Sequence, residues 1–152
     1  MQPRIKLGLI VGVIGLALNV CVSGFIGLCG PFASLFAGGI AGYFAASQEK
    51  LTTKADGAKA GAIAGGIAGA FMIIGQIIGG IIALTIQQNM GAVPFIGAPG
   101  SDFASQATFY LSGAATGFCF GLLGTAFAAG AGAGAGYVAT PDQPNLNTPT
   151  VQ

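Results

Sequence analysis

From Leu7 to Leu28 the chain runs 22 residues without a charge, and at about 1.5 Å per residue that stretch covers the roughly 30 Å hydrocarbon core of a bilayer. Hydrocarbon offers backbone polar groups no partner, so a segment of this kind crosses as a helix that bonds itself internally. A first membrane helix is therefore expected over residues 7–28, with Arg4 and Lys6 just ahead of it. The run is longer than the apolar region of a signal peptide. In Leu18-Asn19-Val20-Cys21, Val20 stands where a lipoprotein signal needs a small residue. The segment is expected to remain as a helix.

The rest of the chain follows the same rule. Only 6% of residues are charged, whereas an ordinary soluble domain carries about a quarter, and 53% are apolar. Five Lys and Arg balance four Asp and Glu, and no basic run exists that could neutralise several phosphates, which argues against nucleic-acid binding. Cys29-Gly30-Pro31 reads as a tight turn, with Pro31 at the first position of a second helix over residues 31–47. Thr53 followed by Asp56 fits a capping box opening a third helix over residues 56–86. Gly91, Pro94, Gly97, Pro99 and Gly100 break the chain into an interfacial loop, Gln87 to Ser101. A fourth helix is expected over residues 103–138. Tyr110 and Tyr137, about 40 Å apart along a helix, approximate the spacing of the two headgroup layers. From Thr140 the tail contains Pro141, Pro144 and Pro149 without apolar periodicity and is expected to be disordered.

The expected fold is thus all-α: residues 1–139 as one polytopic membrane domain of four transmembrane helices, arranged as two antiparallel hairpins packed through GxxxG faces. Four crossings place Arg4, Lys6, Lys50, Lys54 and Lys59 on one side and only Asp102 on the other. By the excess of Lys and Arg, both termini face the cytoplasm, and the protein belongs in the cytoplasmic membrane.

Glycine at every fourth position is the most specific pattern. Gly57, Gly61, Gly65 and Gly69 form one strip, Gly75 and Gly79 a second, and Gly113, Gly117 and Gly121 a third. Helix two offers Gly38 and Gly42 between Ser34 and Ala46. Residues four apart share a helix face, and small ones let backbones touch. These strips serve packing within the chain, or an interface with a second copy or a larger membrane complex. Residues 37–44, AGGIAGYF, also match residues 64–71, AGGIAGAF, at seven of eight positions, in helices expected to run in opposite directions. That is the mark of an inverted repeat, or of convergence in low-complexity sequence.

The hairpin from Gly30-Pro31-Phe32 through AGGIAGYFAA to GAKAGAIAGGIAGAF resembles uncharacterised four-helix membrane families of archaea and bacteria. Those families, domains of unknown function, pair an AGxxAGYxA helix with a GAxxGAxxG helix. The likeness covers roughly residues 30–75. It implies a glycine-zipper fold and brings no known activity with it.

Chemistry has little to work with. The chain has no His, and apart from Asp56 and Lys59 at the very start of the third helix none of its nine charged residues falls within an expected span, which leaves proton relays and ion-coupled transport without an ionisable group at membrane depth. Cys21, Cys29 and Cys119 lack metal-ligand spacing and read as small buried packing residues, or, for Cys29, as an intermolecular disulfide. No catalytic, cofactor or metal site is expected, and the chain is read as non-enzymatic. Two amides, Asn19 and Gln76, lie at membrane depth. Each needs a hydrogen-bond partner there: the other helix's polar group, or, with Ser112 and Thr116, a narrow path for water or a small neutral solute. The function expected is that of a structural or accessory membrane protein, with a solute facilitator as the alternative.

Overall fold

The computed structural model describes residues 2–23, 30–90 and 100–141; the side chains of residues 21–23, 30, 31, 87 and 90 are also outside the description. The described residues form four helices and no strand: α1 (Pro3–Ser23), α2 (Gly30–Glu49), α3 (Lys54–Met90) and α4 (Phe103–Ala139). α1, α3 and α4 are long and apolar enough to cross a membrane. α2, 20 residues ending in Ser47-Gln48-Glu49, is not among them.

Helix ends follow local chemistry. Proline suits a first turn, where its missing N–H would have no helical partner, and α1 begins at Pro3, four residues ahead of expectation. Its expected end at Leu28 and the turn residue Cys29 lie outside the described residues. α2 starts at Gly30, one residue before Pro31. Between α2 and α3, Lys50 takes a left-handed conformation, φ 48°. Thr53 then caps α3: its hydroxyl donates to the Asp56 carboxylate at 2.7 Å and accepts from the Asp56 amide at 3.2 Å. Because no breaker precedes Gly91, α3 continues through Gln87–Met90, which the sequence placed in the loop. Residues 91–99 are not described. Asp102 caps α4, its carboxylate accepting from the Ser105 amide at 3.0 Å. Hydrogen bonding from Ser105 holds this exposed carboxyl below its ordinary value.

Contacts set the arrangement. α2 and α3 form the short diagonal of a diamond, with α1 and α4 at the far corners and not touching one another among the described residues. The core is alanine: Ala41 and Ala45 of α2 meet Ala64 and Ala68 of α3, with Leu7 and Val11 of α1 packed alongside. Large apolar side chains point outward instead, Phe36 74% and Leu111 69% exposed. Lipid is as apolar as leucine, so burying large side chains gains little there, whereas close backbone approach gains dispersion contacts.

One end of the bundle carries the charges. The Arg4 guanidinium lies 3.3 Å from the Glu49 carboxylate, which also accepts the Arg4 amide, so the start of α1 meets the end of α2. The Lys54 ammonium sits 5.1 Å from the centre of the Tyr137 ring, tying the start of α3 to the end of α4. Thr140, read from sequence as the start of a disordered tail, is instead 2% exposed: it packs on Gly57 and its hydroxyl donates to the Gly136 carbonyl. Residues 142–152 lie outside the description.

Candidate functional site

α4 presents one buried line, Gly117, Gly121, Gly124, Ala128, Gly132 and Gly136, spaced by three or four residues so that it stays on one face. α3 runs antiparallel along it. Gly57 meets Gly136, Gly61 meets Gly132 and Gly65 meets Ala128, all backbone on backbone. A β-carbon on Gly69 would lie 2.8 Å from the Thr125 Cα, one on Gly121 2.8 Å from the Ile73 Cα, and one on Gly117 2.9 Å from the Gln76 carbonyl oxygen. Gly113 faces the Leu84 side chain, and Gly79 is buried. Thr125 adds a bond across the seam, its hydroxyl 2.9 Å from the Gly69 carbonyl.

α2 closes on the same line from another side. Gly38 meets Ala128 and Gly42 meets Gly132, while a β-carbon on Gly124 would stand 2.7 Å from the Ser34 hydroxyl. Sequence reasoning singled out the partners on α2 and α3 but not Ala128, Gly132 and Gly136. Their signal was the same spacing of four, hidden in an alternation of glycine and alanine with period two. The two AGGIAG copies now have a shared geometry. Their equivalent glycines, Gly38 and Gly65, both reach Ala128; the next pair diverges, Gly42 toward Gly132 and Gly69 toward Thr125. Gly39 and Gly66, the neighbouring glycines, have nothing within 4 Å.

A second seam joins α1 to α3. Gly8 meets Ala64 and Ile67, Gly12 meets Ala68 and Phe71, and Gly15 meets Met72. One step further, the Gln76 amide donates to the Asn19 side-chain carbonyl at 3.2 Å. Both amides are inside the protein, Asn19 1% and Gln76 6% exposed, and Gly75 provides the space that Asn19 occupies: a β-carbon there would be 3.0 Å from Asn19 Nδ2. Among the described residues, that Nδ2 has no hydrogen-bond partner. A buried donor left unbonded costs about 1–3 kcal/mol.

Ser112 and Thr116 do not join this pair. Both are exposed on α4, their hydroxyls donating to the Phe109 and Ser112 carbonyls of their own helix. Cys119 is exposed as well, and not a buried packing residue as expected: it stands two residues from Gly117 and Gly121, away from the inward line. The Cys21 side chain and Cys29 lie outside the described residues. Among the described residues, no three Cys, Asp or Glu side chains gather where a metal could bind.

Beside the amide pair, α1 and α2 diverge around a groove of about 420 Å³, lined by Val11, Ile14, Leu18, Phe36 and Ile40, with Met72 of α3 at its floor and Asn19 among its walls. Apart from Asn19, every one of these residues is apolar. No family model, curated protein or solved structure matches the chain.

Proposed function

We propose that this chain is a non-enzymatic accessory protein of the cytoplasmic membrane. It crosses four times, with α2 as the fourth span and its charged end in the cytoplasm, as two antiparallel glycine-packed hairpins. The Arg4–Glu49 and Lys54–Tyr137 contacts support this topology, because they gather helix ends that four crossings bring to one side. Its task is to pack onto a second copy of itself or a larger membrane complex.

The observation that carries this reading is a second small-residue strip on α4. The strips on α2 and α3 meet partners within the chain. Ala126, Gly130 and Gly134 lie on the opposite face of α4 from Ala128, Gly132 and Gly136, all three exposed, and nothing stands within 4 Å of Gly130 or Gly134. Glycine in a helix costs about 0.5–1 kcal/mol relative to alanine, and lipid gives nothing back for it. A neighbouring helix does, through close packing.

Extraction from the native membrane into nanodiscs, followed by measuring the mass of the complex and identifying every chain in it, tests the reading. A homo-oligomer or a defined partner is expected, lost in the Gly130→Leu, Gly134→Leu double variant while the monomer stays helical. A lone monomer would overturn it.

A further inference from the structure

The charged end of the bundle holds more cations than its carboxylates can pair. Arg4, Lys6, Lys50, Lys54 and Lys59 lie there with Glu49 and Asp56. Glu49 is taken by the Arg4 guanidinium and amide, Asp56 bonds Thr53 and stands 3.9 Å from the Lys59 ammonium, and Lys54 sits over the Tyr137 ring. Among the described residues, Lys6 and Lys50 are left without a carboxylate.

Lys50 lines a recess. The last turns of α2 and α4 stop side by side, and Ala46, Ser47, Lys50, Leu51, Ala139 and Pro141 surround about 260 Å³ between them. Lys50 is also the one described non-glycine residue with a left-handed backbone, and strained positions of this kind cluster where a side chain is put to use. Its neighbour Glu49 meets Arg4, and the uncharged lengths of α1 and α3 begin just beyond, at Leu7 and Ala60. The recess therefore lies at headgroup depth, in the layer of about 5–8 Å that a bilayer of about 40–45 Å leaves on each side of its roughly 30 Å core.

A ligand for this place carries negative charge for Lys50 and some apolar surface for Leu51, Ala139 and Pro141. Its volume is below the roughly 300–1,000 Å³ of drug-sized sites, which suits a headgroup and not a lipid's chains. The ends of α2 and α4 border the same recess and, as the negative ends of helix dipoles, oppose an anion, so a phosphate is held there by Lys50 or not at all. The surplus of positive charge at this end favours a headgroup without a cation of its own. We infer that the recess seats the headgroup of one anionic phospholipid, its phosphate paired with the Lys50 ammonium and its glycerol against Leu51 and Pro141.

This inference needs the charged end at the membrane surface, and it is independent of whether the chain assembles. The side on which that end lies is read separately, by thiol labelling at Gln2 and Thr52. The test takes the full chain in nanodiscs of equal parts phosphatidylcholine and phosphatidylglycerol and counts, by native mass spectrometry, the lipids retained on each released chain. One phosphatidylglycerol per chain is expected, in excess over phosphatidylcholine. Lys50→Gln is expected to lower its retention about fivefold, the factor one lysine carries at an anionic surface, and Lys50→Arg to keep it. Lys59→Gln, which removes a cation of the same end that does not line the recess, is expected to change it little. Equal retention of the two lipids by the native chain overturns the site. Equal losses in Lys50→Gln and Lys59→Gln overturn it too, by assigning the preference to the net charge of the end. Asp142 follows Pro141 in the sequence. A gain in Asp142→Asn as large as the loss in Lys50→Gln would put the chain's own carboxylate on Lys50 and overturn the lipid seat.

Discussion

A β-carbon on Gly61 would strike the Gly132 carbonyl oxygen, and one on Gly132 would strike that of Gly61. The same reciprocity holds for Gly57 and Gly136. Contacts of this kind put backbone against carbonyl oxygens from Gly57–Gly136 through Gly61–Gly132 to Gly65–Ala128, each weak and all lost together when the helices part. Gly132→Ala is therefore expected to destabilise the bundle by about 3 kcal/mol or more, at or beyond the usual cost of overpacking because backbone, not a side chain, has to move. Gly130→Ala, two residues away with open space around it, is expected to be neutral or stabilising by up to about 1 kcal/mol in the monomer. Equilibrium unfolding in bicelles distinguishes them; equal effects would show that the seam is not where the helices touch.

Asn19 and Gln76 are expected to be coupled. Interhelical hydrogen bonds in bilayers are worth about 0.6 kcal/mol on average and up to about 1.7. A double-mutant cycle of Asn19→Leu and Gln76→Leu should give a coupling in that range, with the double variant more stable than the sum of the single losses predicts, because neither amide is left orphaned. A coupling of zero would mean that the two side chains find other partners.

Topology is open to direct labelling. In a background free of native cysteines, Gln2→Cys and Thr52→Cys are expected to react with an impermeant thiol reagent from the same side of sealed vesicles, and Ser101→Cys from the other. If α2 does not cross, Gln2 and Thr52 separate to opposite sides.

Asp102 ties the start of α4 to pH. Its folded pKa lies below the ordinary 3.8 because Ser105 hydrogen-bonds the ionised form. A depressed carboxyl pKa contributes stability above the unfolded value, and that contribution fades as pH falls through the folded one. Protection of the Ser105 amide, its exchange rate relative to that of an unfolded chain at the same pH, should accordingly stay constant from neutral pH down to about 4 and fall below it; Asp102→Ala should show low protection throughout. A fall already near pH 6 would contradict the cap.

Lys50 holds a left-handed φ of 48° at the end of α2, a conformation that costs a residue with a β-carbon about 1–2 kcal/mol. Lys50→Gly is expected to stabilise the bundle by about 1 kcal/mol, measured by the same unfolding assay. A loss of stability would indicate that the ammonium contributes more than the strain takes away.

The amino-acid sequence by itself determined that helices form and, within a few residues, where they stop. Hydrocarbon composition demands internally bonded segments, and Thr53 and Asp102 are local caps whose partners lie three residues away. The gathering of Arg4, Lys50 and Lys54 at one end was equally legible, as it depends only on helix length and the number of turns. Which face of each helix turns inward was not. Gly38 and Gly39 differ by one position, as do Gly65 and Gly66, yet the first of each pair touches Ala128 and the second touches nothing. In water an amphipathic stripe would separate them; in lipid both faces are apolar, and rotation about the helix axis is settled only by how closely two backbones can approach. The bond between Asn19 and Gln76 and the groove beside it depend on that same rotation across 57 residues of chain, which is why only the packed helices decided them.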